Sequence, residues 1–144
     1  MPTATLADFY NFQGKTVPNP LPDDIVVSVN ALLDDAAEEL AGPLRLARYR
    51  TVATTGEPTE EYVSTAIIRA TCAQAVYFQN NPDARTEAIR QFDSISAGSM
   101  SLSTNQGSRT GTGKGSLTVP TQSSRAIRIL FNAGIIRATQ AGLR

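Results

Sequence analysis

The chain has 144 residues, 41% of them hydrophobic, and contains no His and no Trp. This length fits one domain. Cys72 is the only cysteine, so an internal disulfide is excluded. The absence of His excludes a His-based catalytic triad and, with a single cysteine, argues against structural zinc. The net charge is zero, but residues 1–93 carry all 13 acidic residues and seven basic ones, whereas residues 94–144 carry six basic residues and no acidic one. This asymmetry favours an anionic partner or complementary packing between copies, with a chance distribution over a solvated surface as the alternative.

The beginning of the chain contains few signals for regular structure. Residues 3–12, "TATLADFYNF", fit either a short strand or a turn of helix. Three prolines between residues 18 and 22 exclude regular structure there. No run approaches the length of a membrane span, and residues 1–10 lack the layout of a signal peptide. We therefore expect a protein of the reducing cytoplasm that has no membrane partner.

The first long helix is predicted over residues 23–43. Asp23 or Asp24 is expected to cap its start, and Gly42 followed by Pro43 to end it. The apolar face repeats at steps of three and four residues, at Ile25, Val29, Leu32, Leu33, Ala36 and Leu40. The other face carries Asp34, Asp35, Glu38 and Glu39, which we expect to form an ordinary solvated surface.

A second helix is predicted over residues 59–82, after a basic connector with a turn at Gly56. Thr59 is the expected N-cap, and Pro82 marks the end together with two preceding Asn residues. One side of this helix carries Val63, Ala66, Ile67, Ala70, Gln74 and Tyr77, and small residues are dense along it. We expect close helix packing here, with Leu33 and Ile67 buried between the two long helices. Cys72 is expected to be a packing residue, because a catalytic thiol would lack a base.

The remaining elements are a shorter helix, a polar arm and a terminal helix. "DARTEAIRQF" begins the shorter helix, and the spacing of Ile95, Met100 and Leu102 fits an edge strand, with "LTVP" as a return strand. The arm, residues 95–124, is rich in Ser, Thr and Gly. "SSRAIRILFNAGIIRA" then predicts a helix capped by Ser123 or Ser124, with Ile127, Leu130 and Phe131 inward and Gly134 interrupting or ending it. The expected fold is mainly α, a small helical bundle in one domain, 1–144, with a long arm or hairpin and a C-terminal helix.

The glycine-rich stretch "GSRTGTGKGS", residues 107–116, differs from a phosphate-binding loop. The P-loop pattern would require glycine five residues before Gly113, where the chain has Ser108. A P-loop has Ser or Thr after its Lys, and the hydroxyl of that residue binds magnesium, but here Gly115 follows Lys114. No acidic residue lies downstream to hold a metal. We therefore predict no nucleotide binding.

The arm is also too polar to bury much apolar surface within one subunit. We expect it to be mobile in a free monomer and to order as a hairpin only if neighbouring copies supply strand pairing. Arg109 and Lys114 would then present cationic tips.

The elements together carry a resemblance to a known family. In chain order they are "ATLAD", a proline-rich lead, "ALLDDAAEEL", "AIIRATCAQAVYFQNNPD", a short polar region and a terminal helix closed by "AGIIR". This order resembles the head-to-tail connector, or adaptor, proteins of long-tailed double-stranded DNA phages, especially those of actinobacterial hosts. The resemblance covers most of residues 3–137 and lies in helix types and positions rather than in an invariant signature.

The resemblance implies a structural role in the virion neck. Such proteins form a ring, typically of twelve subunits, beneath the portal, where they continue the DNA channel and dock the next neck or head-closure protein. The expected partners are therefore other copies of the chain, the portal, that neck protein, and DNA passing without sequence specificity, with neither cofactor, metal nor enzymatic activity. The residues expected to face DNA or the portal are Arg109 and Lys114. Those expected to contact neighbouring subunits or the portal are Arg125, Arg128, Arg137 and Arg144.

Two other classes of function stay open. A small nucleic-acid-binding module could use the basic C-terminal segment, although Arg125, Arg128 and Arg137 are sparse and no helix-turn-helix pattern appears. An enzyme could use Asp34 and Asp35, but adjacent positions on a helix diverge by about 100° and would not converge on one metal or substrate.

Overall fold

The computed structural model describes residues 2–45, 47–96 and 120–137. Within these ranges the protein is mainly helical, with five helices and no strand, which confirms the predicted fold class. The helices are α1 (Leu6–Phe12), α2 (Asp23–Arg45), α3 (Glu61–Asn80), α4 (Pro82–Ser96) and α5 (Ser124–Asn132). Most of the arm, with Met100 and Leu102, lies outside the described residues.

Helix α3 is the centre of the bundle and packs against each of the other four helices. Its small side chains allow this approach, and Ala70, Ala73 and Ala75 are all buried. Leu33 and Ile67 are both buried, as predicted, but they belong to different parts of the core. Leu33 lies in a cluster with Cys72 and Phe78. Ile67 lies in a second cluster, with Leu40 and Leu130.

The short N-terminal segment is a helix because it carries its own cap. The Thr5 hydroxyl accepts a hydrogen bond from the Asp8 backbone N–H at 3.2 Å, and the Asp8 carboxylate accepts one from the Thr5 N–H at 2.9 Å. This reciprocal capping box satisfies two N–H groups that a short helix otherwise leaves unpaired. It resolves the choice between strand and helix at this segment, and it fixes Phe9 in the core.

Several predicted helix boundaries were wrong. Helix α2 begins at Asp23, so Asp23 and Asp24 lie in its first turn and neither precedes it as a cap. Helix α2 continues through Pro43 to Arg45, because a proline in the last turn removes only one backbone bond and Leu44 beyond it is buried in the core. Glu60, not Thr59, is the N-cap of α3, and its side chain makes no capping bond. Thr59 instead donates its N–H to the Arg50 carbonyl at 3.0 Å and so closes the connector.

The ends of the last two helices also differ in part from the prediction. Ile95 lies within α4 and not on an edge strand. The N-cap of α5 is Ser123, as expected, and its hydroxyl accepts a bond from the Ala126 N–H at 3.2 Å. Phe131 is 39% exposed rather than inward, because it is one position beyond Leu130 and so lies about 100° around the helix. Gly134 follows the helix end with a φ of +76°, a conformation that glycine adopts without strain.

Among the described helices, none is both long and apolar enough to cross a lipid bilayer.

Candidate functional site

A basic groove of about 1040 Å³ lies open at the surface between α3 and α5. We define it by Tyr62, Thr65 and Arg69 of α3 and by Arg125, Arg128 and Ile129 of α5. The α3 residues lie on one face because they follow three- and four-residue steps, and Arg125 and Arg128 are three residues apart on α5. Three guanidinium groups therefore surround one concave surface, which Glu61 also lines.

The three arginines of the groove differ in what holds them. The guanidinium of Arg125 lies 4.4 Å from the centre of the Phe12 ring, a cation–π contact that orients its side chain. Arg69 and Arg128 are exposed and form neither a hydrogen bond nor an ion pair with any described residue. These two cations are therefore available to an anionic partner.

The structure brings together only some of the basic residues singled out in the sequence. Arg125 and Arg128 both line the groove, whereas Arg137 is exposed beyond α5 and does not line it. Arg109, Lys114 and Arg144 lie outside the described residues. Sequence reasoning missed Arg69 because it concentrated on the apolar face of α3. The signal was the spacing of Tyr62, Thr65 and Arg69 on the other face.

A second feature, which we call the anchor, fixes the end of the arm on α3. The Gln74 side-chain N–H₂ donates to the Thr121 carbonyl at 2.6 Å, and the Gln74 Oε1 accepts from the Ser123 N–H at 2.7 Å. The Tyr77 hydroxyl donates to the Pro120 carbonyl. Gln74 is fully buried, so it replaces water as the partner of both backbone groups. The last residues of the arm are thus held before α5 begins.

The sequence placed Gln74 and Tyr77 among inward-facing residues but did not assign them hydrogen-bond partners. Gln74 is fully buried, as that placement predicts, and Tyr77 is only partly buried. An amide among small apolar residues on a core face was the signal for a buried polar contact. Its partner is more than forty residues away in the chain, so periodicity within the helix does not reveal it.

The acidic face of α2 is only partly the solvated surface that we expected. Asp35 accepts a bond from the Arg85 Nε at 2.6 Å, which joins α2 to α4. Glu39 accepts one from the Thr121 hydroxyl at 2.6 Å, and burial raises the pKa of Glu39 above its ordinary value of 4.5 although that hydrogen bond opposes the shift. Asp34 and Glu38 are exposed and have no partner among the described residues. The same helix therefore supports the anchor and leaves two carboxylates open to solvent.

The remaining candidate groups show no arrangement suited to catalysis in the part of the chain that is described. Cys72 is buried, and burial followed by the charge of Asp8 raises its thiol pKa to about 12. Such a thiol stays protonated and unreactive near neutral pH. Asp35 is held by Arg85 while Asp34 points to solvent, so the two carboxylates do not converge. Among the described residues no cluster of acidic, Cys or His side chains could hold a metal ion.

The arrangement can bind and position partners at two charged surfaces, the basic groove and the side of α2 that carries the exposed Asp34 and Glu38. It also presents the arm from a fixed point on α3. Comparisons of the chain with protein-family models, with curated proteins and with solved structures found no match.

Proposed function

We propose that the chain is a structural virion subunit that forms a ring below the portal and joins the DNA-filled head to the neck and tail. The ring would hold twelve copies, continue the DNA channel, and contact the portal on one side and the next neck protein on the other. Two things support the proposal: the resemblance of the sequence to head-to-tail connector proteins, and the agreement between the helical order that carries this resemblance and helices α1 to α5.

The observation that carries the proposal is the separation of unpaired charge over the surface. Arg69 and Arg128 have no anionic partner among the described residues, and Asp34 and Glu38 have no cationic one. The two sets lie on different elements, since the first lines the groove between α3 and α5 and the second lies on α2. A subunit with two unlike, complementary faces associates head to tail, and head-to-tail contacts close into rings when the rotation allows.

The anchor supports a role for the arm in such a ring. Gln74 and Tyr77 hold residues 120–123 on α3, and α4 ends at Ser96 on the other side of the arm. A segment tied at a rigid scaffold is well placed to contact a neighbour. Under this proposal Arg109 and Lys114 of the arm meet DNA phosphates or the portal, and Arg137 and Arg144 contact a neighbouring subunit or the portal.

The proposal is tested by observing the purified full-length protein, alone and mixed with the portal protein, by mass photometry and electron microscopy. We expect rings of uniform size, or ring formation on the portal. A chain that remains a single copy in both samples, and that does not bind the portal, would contradict the proposed function.

A second function, binding of nucleic acid, is favoured by one feature of the groove. Arg69 joins Arg125 and Arg128, and Tyr62 beside them is 58% exposed, so phosphate contacts and base stacking are both available. The test is binding of the isolated protein to DNA at moderate salt. Tight binding that weakens steeply as salt rises, and that Arg128→Glu abolishes, would favour this function over the connector.

A further inference from the structure

We propose that the basic groove of one copy receives the exposed ridge of α2 from a second copy. This inference rests on the proposed function and names the surfaces by which neighbouring subunits meet. We define the ridge as Val27, Ala31, Asp34 and Glu38.

The ridge is a continuous stripe that no other described element of the fold covers. Its four residues are three or four positions apart, so they lie along one side of α2, and all four are exposed. Val27 is 69% exposed and so places an apolar side chain on the outer face of the helix, opposite the core. Ala31 is small and allows another element to approach closely. The stripe therefore combines an apolar end with two carboxylates.

The groove matches this stripe in charge and in apolar character. Arg69 and Arg128 can pair with the carboxylates of Asp34 and Glu38, which have no partner among the described residues of their own copy. Tyr62 and Ile129 supply apolar surface that the valine end of the ridge can cover. Burial of such apolar surface drives association, while the charges fix which surfaces meet.

The two surfaces also match in length. Residues 61–69 of α3 line the groove, and eight steps along a helix rise about 12 Å. The ridge from Val27 to Glu38 rises about 16 Å by the same measure. Two to three helical turns of the ridge therefore run along the groove.

The contact joins two unlike surfaces of the chain. Each copy keeps a free ridge after its groove is filled, so association continues until a ring closes. The lining of the groove favours a protein over a nucleic acid as the occupant. Ile129 and the ring of Tyr62 supply apolar surface, and Ile129 offers nothing to phosphates. A protein partner uses the apolar and the basic parts of the groove together, so we assign the groove to the second copy.

The inference is tested with two full-length variants of opposite design. The groove variant carries Arg69→Glu and Arg128→Glu, and the ridge variant carries Asp34→Lys and Glu38→Lys. None of these four residues forms a hydrogen bond or ion pair with another residue in the described ranges. The control variant, Lys15→Glu with Arg50→Glu, makes the same change of charge at two exposed residues outside the groove. Circular dichroism and thermal melts confirm that each variant is folded.

Association is measured by analytical ultracentrifugation at low and at high salt. We expect each variant alone to associate at least about tenfold more weakly than the wild type, because like charges then face each other. An equimolar mixture of the two variants should regain assembly, since a positive ridge meets a negative groove in one contact and the wild-type arrangement recurs in the next. The control should assemble like the wild type.

The outcomes separate this inference from the proposed function. Wild-type rings that persist in both variants would overturn the inference and leave the connector function standing. Failure of the mixture to assemble would overturn it also, because the charges would then not face each other. A wild type that stays a single copy with and without the portal would refute both. Loss of DNA binding in the groove variant, with self-association unchanged, would assign the groove to nucleic acid.

Discussion

Replacing Gln74 with Met tests whether the anchor holds the start of α5. The substitution removes the amide that bonds to Thr121 and Ser123 while it keeps a side chain of similar length in the same space. Because no new cavity or clash is expected, the change reports on the two hydrogen bonds rather than on packing.

The magnitude follows from the two backbone groups that lose their partner. A buried donor or acceptor without a hydrogen bond costs about 1–3 kcal/mol. The Ser123 N–H belongs to a buried residue and bears the full cost, whereas Thr121 is only partly buried and its carbonyl can recover a bond to water. We therefore expect a loss of about 2–4 kcal/mol in the free energy of unfolding. For a chain of this length, a loss of about 3 kcal/mol lowers the Tm by about 10 °C.

The measurement is urea unfolding followed by circular dichroism, together with hydrogen exchange at Ala126 and Ile127. The matched control is Gln122→Met, which changes a neighbouring glutamine whose side chain forms no hydrogen bond with a described residue. This substitution should change the free energy of unfolding by less than about 0.5 kcal/mol. Exchange at the first turn of α5 should rise in the Gln74 variant and not in the control. Equal stability of the two variants would refute the view that the anchor holds α5.

Three further predictions concern the core and the buried ionisable groups. Leu33→Ala should cost about 2–5 kcal/mol in denaturant unfolding because Leu33 is buried in the core cluster with Cys72 and Phe78, whereas Val27→Ala, at an exposed position, should cost little. Folding raises the pKa of Glu39 above 4.5, so protonated Glu39 favours the folded state. This contribution to the free energy of unfolding is fully present below pH 4.5 and is lost as the pH rises through the pKa of the folded protein. Glu39→Gln keeps an acceptor for the Thr121 hydroxyl, so this variant should be at least as stable as the wild type at neutral pH. Thermal melts compared across pH should show that this advantage is lost in acid. Cys72 should resist alkylation at pH 8 in the folded protein and react at once in denaturant, because its thiol is buried with a pKa of about 12; rapid labelling of the native protein would contradict this.

The helical core could be predicted from the sequence because the residue patterns that indicate it lie within single helices. The three- and four-residue spacing of Leu32, Leu33 and Ala36 identified the buried side of α2, and that of Ile127 and Leu130 did so for α5. A hydroxyl just before a helix is a similarly local signal, and by this signal the sequence offered Ser123 or Ser124 as the cap, of which the structure uses Ser123. Such patterns depend on helix geometry alone, so no knowledge of the neighbouring elements was needed.

Other features could not be predicted because distant contacts determine them. Thr59 has the side chain of an N-cap, but its hydroxyl donates to the Arg50 carbonyl at 3.5 Å, and α3 begins one residue later. Pro43 has the signal of a helix end, but burial of Leu44 favours continuation of the helix by two more residues. Each exception is a case in which tertiary packing outweighs a local preference of about 1 kcal/mol.

The candidate site shows the same limit. Sequence reasoning singled out Arg125 and Arg128 as residues that contact a neighbouring subunit or the portal, and both line the groove. Arg69 completes the groove from a helix that the sequence assigns to the acidic part of the chain. Charge counted along the sequence does not reveal which basic residues meet in space, and only the packing of α5 on α3 brings these three together.

Helix α5 belongs to both the anchor and the groove, and this links stability to assembly. Gln74 binds the backbone N–H of Ser123, Ser123 caps α5, and the next turn of that helix carries Arg125 and Arg128. Loosening the anchor should therefore displace two of the three groove cations without changing any charge. We expect Gln74→Met to weaken self-association as well as folding, whereas Arg69→Glu with Arg128→Glu should weaken association alone. If Gln74→Met instead lowered the Tm while association at a temperature where the variant is folded stayed equal to that of the wild type, the anchor would not position the groove.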